Sequence, residues 1–408
     1  MKQKLLYIAI IATLVAGCRP KGDVYFDPND PMNMQYTTYA EQFDAIWRGM
    51  NTHYMFWSED STDWDAVYKE MLPRFQELDT AYAANGSTPD SATFAGLYTE
   101  MTSTLRDHHL TMQVRDVHTN ARYAFFPGLD EVRQRDYVTG QDYSFEGLQT
   151  AINGFVSSGL LSSGTWGEMD GQHNFFGVRN VDEKKIAYLW LSNFQMGEAL
   201  DKEPATAGDS LYIQNIRGWL DLCLNDSNLL GIILDTRCNE GGNMSDLNKV
   251  VAPFIGQPLR YADVRYKEGS GRYEYTDWIP AIIDTLPAAE RRDIAADNIP
   301  YVVLSNAMSI SMGEISAAAI KQLPTGCMIG ERTFGAHGQI YPYPTLLHDG
   351  SFGDEAGLHY VYTSSVQTRF TGEDMLEGIG IEPDKSILQV ESGYLGATEK
   401  AIDYIKAY

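Results

Sequence analysis

The sequence predicts an α/β protein: a largely parallel sheet with helices on its faces, preceded by a helical N-terminal subdomain and a small intervening segment. Three observations carry this. From Lys185 onward, apolar runs of strand length (KIAYLWLSNF, LLGIILD, YVVLSN) alternate with helix-length segments, the pattern of strands buried on both faces. Residues 36–83 instead repeat apolar side chains at helical spacing, with Phe43, Ile46, Trp47 and Met50 on one face. Finally, 408 residues with 44% hydrophobic and 12% aromatic content suit a chain that buries one or more cores without disulfide staples.

Lys2 and Lys4 precede a thirteen-residue apolar run, LLYIAIIATLVAG. It is shorter than the roughly 20 residues a spanning helix needs and has the length of a signal-peptide core. A buried N-terminal helix is the plainer alternative. Val15-Ala16-Gly17-Cys18, however, resembles a bacterial lipobox, in which the cysteine is lipidated and becomes the first residue. On this reading 1–17 is a signal peptide, Cys18 the lipid attachment point and 18–35 a polar, Pro-containing tether. The protein is then expected in the bacterial envelope, anchored to the outer membrane and facing the periplasm or the exterior.

Residues 36–119 form the helical subdomain. Ser61-Thr62-Asp63 offers caps for a helix through WDAVYKEMLPRF, and ATFAGLYTEMTSTL supplies a third helix that leads to Asp107-His108-His109. Residues 120–183 are rich in Gly and Ser without a clean period, which fits a small inserted domain or long loops. Residues 184–408 form the core: LLGIILD ends at Asp235, DTRCNEGGN turns into the helix DLNKVVAPF, and LRYADVRY and GRYEYTDW read as strands. YVVLSN, SMGEISAAAIKQL and CMIGERT follow as strand, helix and strand. LHYVYTSSVQTRF reads as one strand and ATEKAIDYIKAY as a closing helix.

The charge excludes one class of partner. With 31 Lys+Arg against 55 Asp+Glu the formal net charge is −24, there is no basic run, and nucleic-acid binding lacks its electrostatic drive. Besides Cys18 there are Cys223, Cys238 and Cys327, an odd number without metal-site spacing. The sequence has no H-E-x-x-H, Walker A, G-x-G-x-x-G or EF-hand pattern, so neither a cofactor nor a metal is expected.

Ser311 stands between YVVLSN and a helix starting near Met312, where free N–H groups and the helix dipole can hold developing negative charge. Alone, Ser309 or Ser311 reads as an ordinary N-cap. Four segments in order change the weighing. Gly231-Ile232-Ile233-Leu234-Asp235-Thr236-Arg237-Cys238-Asn239-Glu240-Gly241-Gly242 resembles a hydrophobic strand followed by D-x-R-x-N-x-G-G. The stretch from Asn306 to Ser311-Met312-Gly313-Glu314 resembles one ending in S-x-x-E. Gly330-Glu331-Arg332-Thr333-Phe334-Gly335 resembles G-E-x-T-x-G, and Glu377-Gly378-Ile379-Gly380-Ile381-Glu382-Pro383-Asp384 resembles E-x-x-G-V-x-P-D. Together these resemble the C-terminal processing peptidases and the tricorn core peptidase. The resemblance implies a ClpP/crotonase-like core, a Ser311 nucleophile, and a peptide or unfolded-protein substrate. Many relatives carry a PDZ domain after the helical part; 120–183 has the length for a degenerate one but no recognisable Gly-Leu-Gly-Phe-like loop.

The processing branch uses a lysine base directly after G-E-x-T-x-G. Here that residue is Ala336, and His337, one residue later, is expected to point elsewhere. Lys321 lies ten residues down the helix, about 15 Å away. The tricorn-like branch places a histidine base in a segment resembling L-x-D-x-H, matched by Leu105 to His109, and a glutamate in the last motif, here Glu377. The resemblance thus implies a Ser311–His109–Glu377 triad, with Asp107 organising its loop. His109 as a helix-end or metal-binding histidine, and Glu377 as a solvated loop acid, are the alternatives. The Met312 N–H and the Gly241-Gly242 turn are the expected oxyanion donors. Two other functions stay open: a non-catalytic peptide-binding protein on the same fold, and an esterase.

Overall fold

The computed structural model describes residues 36–140, 143–203, 205–340, 350–354 and 357–408. The leader, Cys18 and the tether lie outside the described residues, among which no helix is long and apolar enough to cross a membrane.

Helix α1 (Tyr39–His53) starts at a capping box: Thr38 Oγ1 accepts the Glu41 N–H, and Glu41 Oε2 accepts the Thr38 N–H. Helix α2 (Trp64–Asn85) is capped by Asp63 and ends at left-handed Gly86, and α3 (Ser91–Thr102) is capped by Asp90. Trp47 and Trp64 each donate their indole N–H to the other's backbone carbonyl, at 2.8 and 3.1 Å, fixing α1 on α2. The chain then turns through Asp107–His109 into β1 (Thr111–Arg115) and β2 (Arg122–Phe125).

Helices α4 (Pro127–Arg133) and α5 (Phe145–Ser157) lead to strands β3 (Ser163–Met169), β4 (Gln172–Val181) and β5 (Lys184–Leu191). Then come α6 (Met196–Asp201), α7 (Ala207–Asn225), β6 (Leu229–Asp235), α8 (Leu247–Val250), β7 (Leu259–Tyr266), β8 (Ile279–Ile283), β9 (Tyr301–Ser305), α9 (Met312–Lys321) and β10 (Gly326–Gly330). Short β11 (Phe352–Gly353), β12 (His359–Tyr362), β13 (Val366–Phe370), β14 (Lys385–Ser386) and α10 (Gln389–Ala407) complete the described chain.

The central sheet has seven strands in the order β14-β10-β9-β6-β5-β4-β3, parallel from β14 to β5 and antiparallel at β4 and β3. Side chains alternate across it. Tyr188, Trp190, Ile233 and Val302 pack under α5 and α10, whereas Leu189, Leu191, Ile232 and Val303 pack under α7 and α9. A four-stranded sheet, β11-β12-β1-β2, covers the helical part, and β13-β7-β8 forms a third sheet.

Four segments differ from the sequence reading. Residues 36–119 are not purely helical, since β1 pairs with β12 from the far end of the chain. The segment 120–183 does not stand apart as a PDZ-like module, because β3 and β4 hydrogen-bond into the central sheet through β5. Two of its glycines are packing positions rather than loop signals: a Cβ on Gly164 would meet the Phe175 ring at 2.0 Å, and one on Gly167 the Tyr212 backbone at 2.4 Å. GRYEYTDW is not a strand; the partner of β7 is Ile279–Ile283, which tolerates Pro280 because β8 is an edge. LHYVYTSSVQTRF divides into β12 and β13, in different sheets.

Candidate active site

Strand β9 ends at Ser305, and the turn to α9 is stitched to the loop after β6. Ser309 Oγ donates to the Thr236 carbonyl at 2.7 Å, and Asn306 Oδ1 accepts the Cys238 N–H at 3.0 Å. The Ile310 N–H reaches the Asn239 carbonyl at 2.9 Å. Ser309 is therefore a buried structural serine. Ser311 is different: half-buried, it has φ 55° and ψ −116°, a backbone conformation that costs a non-glycine residue about 1–3 kcal/mol and persists only when neighbours impose it.

Glu314, one helical turn on, does the imposing. Fully buried, it accepts from Thr333 Oγ1 (2.5 Å) and the Gly335 N–H (2.8 Å) on Oε1. On Oε2 it takes the Ala336 N–H (2.7 Å) and the Ser311 N–H (3.3 Å). The Ser311 N–H also reaches the Ala336 carbonyl at 2.8 Å. Arg135, which the sequence did not single out, holds the same segment from outside: its guanidinium donates to the Thr333, Phe334 and Ile379 carbonyls at 2.7, 3.0 and 3.1 Å. The loop after β6 rests on a buried pair in which Arg237 Nε and Nη2 bond Asp235 at 2.9 and 2.5 Å, while Arg237 also reaches the Tyr394 carbonyl and Thr398 of α10.

The three expected oxyanion donors part company. Among the described residues the N–H groups of Met312 and Gly242 have no acceptor, but the Gly241 N–H is spent on Asn239 Oδ1 at 2.9 Å. Gly241 serves by its missing side chain: a Cβ there would lie 2.6 Å from Ser311 Cβ, 3.0 Å from its Oγ and 3.3 Å from the Met312 nitrogen. Gly242 is likewise required by close approach, a Cβ falling 2.2 Å from the Phe194 carbonyl oxygen.

His109 sits on the turn before β1. Asp107 builds that turn, accepting the His109 N–H at 2.9 Å, Ser364 Oγ and N–H at 3.0 and 2.8 Å, and Thr363 Oγ1 at 2.5 Å. His109 Nδ1 lies 3.5 Å from Ser364 Oγ. Burial pushes its imidazole down to about 4 against the opposing pull of Asp107; the residue keeps some surface, which tempers the shift, but the direction leaves the ring neutral and able to accept a proton at neutral pH. Polar atoms of Asp107, His109 and Glu377 lie within 4.8 Å of one another. Glu377 is fully buried, not a solvated loop acid; its Oε2 accepts the His337 and Gly338 N–H groups at 3.0 and 2.8 Å. Burial, and then the charges of Asp107 and Glu314, hold its carboxyl well above the usual range.

The structure thus brings His109 and Glu377 together beside Asp107, and Ser311 together with Gly241 and Met312. Among the described residues no hydrogen bond joins Ser311 to His109. The His337 ring is fully buried, with Nδ1 3.7 Å from Glu377 Oε2.

Residues 185–387, about half of the chain, match the profile described as Peptidase family S41. The chain belongs to this family. Membership makes it a serine-type peptidase acting on peptides or proteins. The fold of this S41 peptidase is shared with solved structures at low identity. A candidate peptidase from Parabacteroides merdae is 18% identical with a TM-score of 0.61, over 91% of this chain and 97% of that one. Mature CPAF complexed with lactacystin is 10% identical with a TM-score of 0.57, over 91% and 99%. Mature CPAF determined without mention of that compound is 11% identical with the same TM-score, over 90% and 97%. No curated protein matches in sequence.

Proposed function

We infer that this S41 peptidase is a lipid-anchored bacterial endopeptidase working through Ser311, His109 and Glu377. The observation that carries the reading is Ser311 itself, a strained residue whose Oγ stands against side-chain-free Gly241 beside the unpaired Met312 amide. In the forward step Ser311 Oγ bonds to the substrate carbonyl carbon while His109 takes the hydroxyl proton. The carbonyl oxygen, now anionic, is held by the Met312 and Gly242 N–H groups. Collapse breaks the C–N bond, and His109 returns its proton to the departing amine. Water then repeats the sequence against the acyl-enzyme. Glu377 steadies the imidazolium. The hydrogen bond from Ser311 to His109 would tighten when substrate binds, since unliganded sites hold such pairs loosely.

A fluorophosphonate probe tests this. Wild type should be labelled on Ser311, and Ser311→Ala and His109→Ala should lose the label. Unchanged labelling of Ser311→Ala would remove the assignment, and an unlabelled wild type would favour the non-catalytic binding protein. Turnover of p-nitrophenyl esters without cleavage of casein or peptides would favour an esterase. The tether is tested separately: palmitate incorporation and recovery in the membrane fraction should both be lost in Cys18→Ala, and retention of both would refute it.

A further inference from the structure

Around Glu377 lies a group of buried polar atoms whose hydrogen bonding is incomplete among the described residues. Among the described residues Glu377 Oε1 has no hydrogen-bond partner, and neither ring nitrogen of His337 has one, although both side chains are fully buried. An orphaned buried polar atom loses its hydration without recompense, so three within one cluster need a reason. Charge compounds the problem. Asp107, Glu314 and Glu377 are all fully buried, and among the described residues no Lys or Arg makes an ion pair with any of them.

We propose that Asp107, His109, Glu377 and His337 bind one zinc-class divalent cation, which reversibly switches the peptidase off. Ligand atoms of the first three lie within 4.8 Å of one another, and His337 Nδ1 is 3.7 Å from Glu377 Oε2. Ligands at roughly 2.0–2.2 Å around zinc stand about 3.4 Å apart, so Asp107, His109 and Glu377 would have to draw together by side-chain rotation, with His337 entering from the Glu377 side. Two imidazoles with carboxylates suit zinc, cobalt or nickel rather than magnesium or calcium, which take oxygen ligands. His109 and Glu377 are the primary ligands. Asp107 enters last, because four hydrogen bonds already occupy its oxygens. A cation here supplies a positive charge beside the buried carboxyls and gives Glu377 and one nitrogen of His337 a partner. It also takes the His109 lone pair, so the imidazole can no longer accept the Ser311 proton. The switching half rests on His109 being the base; the binding half does not.

The experiment uses the full mature chain as Ser311→Ala, which cannot digest itself. Calorimetric titration with zinc chloride should show one site, weakened at least about 10-fold by Glu377→Gln and by His337→Phe. X-ray absorption at the zinc edge of the bound protein should count two imidazoles, a readout that needs no further variant should either substitution unfold the chain. No binding, binding indifferent to both substitutions, or a first shell without imidazole would each overturn the site. With wild type, zinc should abolish fluorophosphonate labelling and EDTA restore it; zinc bound at the site with labelling at full rate would overturn the switch. A wild type unlabelled even in EDTA would reject the peptidase reading while the calorimetry and absorption still decide the site.

Discussion

Gly241→Ala should cut the rate of fluorophosphonate labelling at Ser311 by about 10²-fold or more, the scale of losing oxyanion stabilisation. The added methyl would sit 2.6 Å from Ser311 Cβ and 3.3 Å from the Met312 nitrogen, so either the nucleophile or the amide that faces the oxyanion must move. Gly241 also has φ 99°, and alanine there costs backbone strain independently of the site. Gly171 separates the two effects. It has φ 76° on the β3–β4 turn, and its Cβ would meet nothing within 4 Å. Gly171→Ala should lower the unfolding midpoint slightly and leave labelling at the wild-type rate. If Gly241→Ala labels as fast as Gly171→Ala, the placement of Gly241 against the nucleophile has no chemical meaning.

The largest expected loss of stability comes from Arg237→Met. Asp235 is fully buried and Arg237 nearly so; the guanidinium bonds both carboxylate oxygens and reaches across to the Tyr394 carbonyl and Thr398 of α10. Removing it leaves a carboxylate in the interior whose other side-chain partner is the Tyr188 hydroxyl, at 2.5 Å. The cost should be about 3–5 kcal/mol by urea unfolding, larger than for any single surface ion pair. Adding Asp235→Asn should recover a good part of it, because the uncompensated charge disappears. A single substitution within about 1 kcal/mol of wild type would show that the pair is solvated in practice.

The core strands were readable because strands covered on both faces need continuous apolar runs, and Ile186–Leu191, Ile232–Leu234 and Tyr301–Leu304 supply them. The caps at Asp63 and the serine at the head of α9 were readable for a local reason too: each depends on residues within one turn. What was illegible depends on distant partners. Gln113 pairs with Tyr360, so the β1–β12 contact has no local signature. The hairpin β3–β4 was obscured because Gly164 and Gly167 answer to Phe175 and Tyr212, so that only Asp170-Gly171 marks its turn. The commitment of the Gly241 amide to Asn239 was hidden as well, since a Gly-Gly pair reads equally as two free donors. The burial of His337 beside Glu377 has no local signature either, since it depends on a carboxylate forty residues on that accepts the amides at 337 and 338. Thr363 and Ser364 lie within what reads as one continuous strand, yet they are the link between two sheets that Asp107 grips.

The seat of Glu377 has a consequence for the order in which the molecule is made. Its turn follows every strand of the central sheet except β14, and the contact of β1 with β12 waits on nearly as much chain. Contacts of such high sequence separation form late, after the loops between them have closed. A chain emerging N-terminus first can complete the α1–α3 layer and most of the sheet while His109 still lacks its carboxylate and Ser311 its brace from residues 333–336. Partly made copies are thereby harmless to themselves and to their neighbours, and hydrolytic competence arrives as a single late event once folding is all but finished.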